Sequence, residues 1–92
     1  MKLDIIVSSK FKKDLKLARK RGLNLDKLET VVEMLANQIP LESKYRDHRL
    51  SGNYINFREC HIEPDWLLIY HQDSELLELF LLRTGAHSDL FE

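Results

Sequence analysis

The sequence predicts an α+β fold of order β-α-α-β-β-β, an antiparallel meander with a two-helix hairpin packed on one face. Three observations lead there. Apolar residues keep a helical period from Phe11 to Ile39. Runs rich in β-branched and aromatic residues fill the second half, and turn signals of three residues separate those runs.

The elements follow in order. Residues 3–7 are rich in β-branched residues and bounded by Ser8 and Ser9, which reads as a strand followed by a helix cap. Over 10–21, Phe11, Leu15 and Ala18 fall at i, i+4 and i+7 and form one apolar stripe. Lys12, Lys13, Lys16, Arg19 and Lys20 occupy the rest of that helix, and Gly22 stands where a left-handed residue would end it. Asn24 can cap a second helix carrying Leu25, Leu28, Val32, Leu35 and Ile39, with Pro40 closing it. So short a link makes an antiparallel hairpin with one shared apolar side, which a sheet must cover. Strands are predicted at 54–62, 66–72 and 76–83, parted by Glu63-Pro64-Asp65 and Asp73-Ser74-Glu75; turns this short force antiparallel neighbours. The segment 41–53, 13 residues, is longer than a plain connector requires, and such loops are disproportionately functional.

The 92 residues suit one domain, 1–92, and a domain of this size buries a little over ~60% of its unfolded surface. No apolar run approaches the roughly 18 residues of a membrane span, and MKLDIIVSSK lacks a signal peptide's apolar stretch. A cytoplasmic location without a membrane partner is therefore expected. Cys60, the only cysteine, excludes an internal disulfide framework and a multi-cysteine metal site. The net charge of −1 hides a gradient: residues 1–22 hold eight basic and two acidic residues, whereas 51–92 hold two basic and eight acidic. The basic helix can track phosphates, although a solvated face is the commoner meaning of such a pattern.

In a meander the end of one strand lies beside the start of the next. This predicts His61, Asp65, Trp66 and Arg83 at one edge, with His87 just beyond and Glu59 on the face of His61. His71, at the far end of its strand, is expected to take no part. Histidines, an arginine and carboxylates are the parts needed to cleave RNA without a metal: one imidazole takes the ribose 2′-OH proton, the oxygen attacks phosphorus, and a second imidazole protonates the departing 5′-oxygen. Each positioned acid or base is worth about 10²–10⁴-fold. Arg83 would stabilise the phosphorane oxygens, and Glu59 or Asp65 would orient an imidazole. Trp66 and Phe91 offer faces for base stacking, typically ~1–3 kcal/mol per base, although Trp66 is at least as well suited to the core. Cys60 alternates away from His61 and reads as a small buried residue. Zinc held by His48, His61, His87 and Asp65 is the sharper rival. No HxH, HExxH or CxxC spacing supports it, so neither metal nor other cofactor is expected.

The segments KDLKLARKRG (13–22), KYRDHRLSG (44–52), FRECHIEPDWLLIY (57–70) and RTGAHSDLF (83–91) carry a resemblance that spans essentially the whole chain. The sequence resembles the YafQ-type toxins of the RelE superfamily, components of bacterial type II toxin–antitoxin systems. The resemblance implies the RelE-like fold and a metal-independent, ribosome-dependent endoribonuclease cutting messenger RNA in the A site, with a cognate antitoxin as partner. Ribosomal RNA would be met through Lys12, Lys13, Lys16, Arg19 and Lys20. By motif, His48 of DHRLSG, His61 and Asp65 of HIEPDW, and His87 and Phe91 of GAHSDLF match functional positions of that family. Strand order alone leaves His48 near the opposite edge, and only a fold-back of the 13-residue segment could deliver it. Glu59 stands where the family tends to carry the shorter aspartate. His87 with either His48 or His61 is the expected proton-transfer pair. The rival from another class is a toxin that blocks a protein such as a topoisomerase without chemistry; three histidines near one edge rank it second.

Overall fold

Ser8 turns the chain from strand to helix. In the computed structural model, which describes residues 2–91, β1 (Asp4–Val7) ends at this residue, and its Oγ accepts from the Phe11 amide at 2.9 Å to cap α1 (Ser9–Lys20). The same residue donates through its amide and hydroxyl to the carbonyls of Leu81 and Leu82. One side chain thus starts the helix and ties it to the sheet. Gly22, at φ +75°, ends α1 as the sequence predicts, with its amide on the Arg19 carbonyl.

Helix α2 (Leu25–Ala36), capped by Asn24, is three residues shorter than the apolar period suggests. Gln38 takes φ +59°, and the amides of Gln38 and Ile39 donate back to Leu35 and Met34, so the helix closes before Pro40. Among the described residues no helix is long and apolar enough to cross a membrane.

The remaining strands are β2 (His48–Arg49), β3 (Arg58–Glu63), β4 (Trp66–Asp73) and β5 (Glu78–Gly85), followed by α3 (His87–Phe91). The sheet order is β1-β5-β4-β3-β2, with β1 parallel to β5 and the other pairs antiparallel. The α+β class and the meander agree with expectation, whereas β2 and α3 are additions to the expected order. Expected strand 54–62 begins later, at Arg58, because Gly52–Tyr54 form a 3₁₀ turn and Asn56 adopts φ +78°. That turn lets β2 fold back on β3. Strand β5 begins at Glu78 because the Asp73 carboxylate accepts from the amides of Glu75 and Leu76, and Leu77 sits at φ +56°.

Both helices lie over one face. Phe11, Leu28, Val31 and Leu35 pack there against Cys60, Trp66, Leu68, Tyr70, Leu79 and Leu81. A smaller cluster of Leu67, Ile69 and Leu90, edged by Leu50, Tyr54, Phe57 and Leu82, joins α3 to the opposite face.

Candidate active site

Register lines the site up on that opposite face. His48, Glu59, Ile69 and Arg83 stand in one row across β2 to β5, and His61, Leu67 and Gly85 in the next. Residues paired across strands share a face, and Cys60 and Ile62 alternate into the helix-side core. The two-residue strand therefore delivers His48 directly opposite Glu59.

Glu59 is buried, at 3% exposure, and its Oε1 lies 3.6 Å from His48 Nε2 and 3.4 Å from His61 Nε2. Each imidazole is held from behind: His48 Nδ1 donates to the Arg46 carbonyl at 2.7 Å, and His61 Nδ1 to the Pro64 carbonyl at 3.2 Å. A carbonyl can only accept, so both rings carry their tautomeric proton on Nδ1 and turn Nε2 toward one carboxylate oxygen. A proton arriving at either Nε2 has an acceptor within reach. The ring centroids are 6.4 Å apart.

Asp47 fixes the segment that carries His48. It accepts from Arg58 Nε at 3.2 Å, from Arg58 Nη2 at 3.3 Å and from the Tyr70 hydroxyl. Burial, reinforced by Asp47, pushes the Tyr70 hydroxyl far above its ordinary range, and burial does the same to the Cys60 thiol. Cys60 is thus an inert core residue, as expected.

His87 opens α3 on the other side of the strip formed by Leu67 and Ile69. Asp65 accepts from the His87 amide at 3.1 Å, Asp89 pairs with Arg21 at 2.7 Å, the Tyr54 hydroxyl donates to the Leu90 carbonyl, and Leu90 fills the hydrophobic strip. Gly85 makes the approach possible, since a Cβ there would meet the Asp89 Oδ2 at 3.2 Å. The His87 ring lies 4.9 Å from that of Phe91, which in turn meets Tyr54 edge-on at 5.6 Å.

Three expectations are corrected. Asp65 holds the backbone of His87 and not an imidazole, because the tight turn before β4 aims its carboxylate at the start of α3. Trp66 offers no stacking face: it is 2% exposed among the helix-side core residues, and its Nε1 donates to Thr84 Oγ1 at 2.9 Å. Arg83 does not join His61 and Asp65. It stands two strands from Glu59, about 10 Å by strand spacing, with its Nε and Nη2 on Asp14 at 2.7 and 3.1 Å, which raises its pKa. Asp14 also accepts from the Thr84 amide, on the edge that β1 leaves uncovered beyond Leu81.

Asp14, Asp47, Tyr54, Arg58 and Tyr70 are contributors that sequence reasoning missed. The one available signal was the unusual arginine in β3, whose partner lies 11 residues earlier in the long loop. Among the described residues no set of three or more His, Cys, Asp or Glu side chains is arranged to hold a metal ion.

His71 shares the face but lies at the far end of β4, opposite Phe80 and 6.1 Å from the Phe57 ring. His71→Ala is expected to change whatever activity this face carries by no more than about twofold, the scale of a neutral surface substitution. Single-turnover rates check this, and a large loss would displace the site toward that end.

Comparison with known proteins gives consistent findings. A family model described as "Bacterial toxin of type II toxin-antitoxin system, YafQ" matches residues 3–92. The mRNA interferase toxin YafQ of Escherichia coli K12 is 43% identical over 89 residues, covering 96% of this chain and 95% of that protein. A metal-bound toxin from Helicobacter pylori is 49% identical with a TM-score of 0.91, covering 97% of this chain and 99% of that one. The YafQ chain of the E. coli DinJ–YafQ toxin–antitoxin complex is 40% identical with a TM-score of 0.89, covering 100% of both chains.

Proposed function

Because this chain belongs to the YafQ family of type II toxin–antitoxin toxins, we propose that it is an mRNA endoribonuclease that acts on the ribosome by metal-independent 2′-OH attack. The observation that carries the reading is the pair of imidazoles, each pinned through Nδ1, converging on one buried oxygen of Glu59. They form one end of a proton-transfer system and His87 forms the other, with the Leu67–Ile69 strip between them. A scissile phosphate lying over the strip would have its 2′-oxygen at one end and its 5′-oxygen at the other. Glu59 steadies the imidazoles, Asp65 places His87, and Phe91 backs the His87 ring. Arg83, already oriented by Asp14, faces the phosphate from β5 with its remaining donors. Trp66 supports the site from inside the core.

His48 is 50% exposed on an open sheet face, so bending and holding of the message fall to the ribosomal A site. Lys12, Lys13, Lys16, Arg19 and Lys20 are all exposed on α1, with no carboxylate partner among the described residues, and would face ribosomal RNA. A cognate antitoxin is the second partner, by analogy with the E. coli relative solved with DinJ.

Mapping message ends in a translating extract tests the proposal. Cuts within codons leaving a 2′,3′-cyclic or 3′-phosphate and a 5′-hydroxyl are expected. Intact message beside arrested translation would replace cleavage with a binding-only toxin. The relative from H. pylori is described as metal-bound, which makes the metal question concrete. Toxin stripped of transition metals by a chelator and then desalted, with the ribosome's Mg²⁺ left in place, is expected to cut at full rate. A loss restored by added zinc or copper would place a metal in the reaction.

A further inference from the structure

We propose that the groove between α2, the Ser43–Tyr45 turn and the end of β3 binds a nucleotide flanking the scissile bond, with its phosphate held by Lys44 and Arg46. The inference rests on the RNA-cleaving reading and extends it to a substrate subsite outside the histidine face.

The groove encloses about 530 Å³ between Thr30 of α2, the Lys44–Arg46 stretch and the end of β3, a size within the range of small-molecule sites. Its charge is one-sided. Glu63, the only carboxylate in the lining, is neutralised by Lys27 at 2.8 Å. Among the described residues neither Lys44 nor Arg46 has a carboxylate partner, and Lys44 Nζ rests 5.2 Å from the centre of the Tyr45 ring. Two exposed cations beside an apolar wall of Tyr45, Ile62 and Pro64 match a nucleotide: phosphate to the cations, base and sugar to the wall.

The groove also touches one of the site imidazoles and the backbone that holds another. His61 forms part of its wall, and the carbonyls that hold the two rings belong to Arg46 and Pro64, both lining residues. A chain of RNA crossing the Leu67–Ile69 strip reaches the groove by passing His61. An acidic antitoxin segment would satisfy the cations equally well. The shared wall with His61 and the two carbonyl anchors favour the RNA.

Two variants test this in different ways. Lys44→Ala/Arg46→Ala removes the charges, and Thr30→Trp fills the groove while leaving every charge in place. Thr30 is exposed on α2 and its hydroxyl donates only to the Asp26 carbonyl, so circular dichroism should show both variants folded. Affinity of the free toxin for a 2′-O-methyl octanucleotide, which cannot be cut, is measured over a salt series. The double variant should bind about tenfold more weakly, and its log–log salt slope should be shallower by about 0.7, the loss of one single-strand phosphate contact. Thr30→Trp should weaken binding similarly with the slope falling in parallel. On the ribosome both should raise KM and leave kcat near wild type. Wild-type affinity, slope and KM in either variant would overturn the proposal. So would normal RNA parameters with lost antitoxin binding, which would assign the groove to the antitoxin. Wild-type toxin that binds the oligonucleotide through this groove and cuts no message would sink the cleavage reading and leave the RNA groove standing.

Discussion

His87→Ala is expected to lower single-turnover message cleavage by at least about 10²-fold, the lower bound for removing a positioned acid or base, with no loss of fold or antitoxin binding. The imidazole is exposed, and its close ring contact is with Phe91. The attachments of α3 do not use that imidazole: Asp65 takes the backbone amide, Arg21 takes Asp89, and Leu90 fills the strip over Leu67 and Ile69. Thermal melting should therefore coincide with wild type while the rate collapses. Cleavage close to the wild-type rate would remove His87 from the proton-transfer pair and leave both steps to the cluster around Glu59.

Trp66→Ala is expected to act oppositely, on stability first. The indole is buried in the helix-side core and donates to Thr84 Oγ1, which in turn donates a hydrogen bond to the Leu67 carbonyl. Truncating a buried Trp costs about 3–5 kcal/mol, a large share of the ~5–15 kcal/mol that holds a domain together. For a chain of this length the melting temperature should fall on the order of 20 °C. Trp66→Phe, which keeps most of the buried ring and loses only the indole donor, should fold and cut. A Trp66→Ala protein melting with wild type yet failing to bind message would return the indole to the stacking role that its burial denies it.

Helix α1 is legible in the sequence because Phe11, Leu15 and Ala18 repeat the helical period, and strand β4 because the unbroken apolar run from Trp66 to Tyr70 is short and bounded by turn signals. Helix α3 has five residues, too few to show a period, and what holds it comes from Asp65, Arg21 and Tyr54, far away in the chain. Strand β2, at two residues, carries no pattern at all. His48 was reachable only through the resemblance of DHRLSG to its family, whereas Glu59 and His61 followed from alternation along one strand. The pairing of Arg83 with Asp14 joins residues 69 apart. Strand order grouped Arg83 with His61 and Asp65 at one edge, and nothing in the local pattern singled out an aspartate on the first helix.

The parallel pairing of β1 with β5 sets a timetable for synthesis. Ile5 stands opposite Leu79, so the first strand made waits for nearly the last. At about 5–20 residues per second, the wait is roughly 4–15 s. His87 lies later still, on a helix whose footing is the finished sheet. The histidine face and the helix that carries His87 can therefore form only after β3, β4 and β5 have all been made.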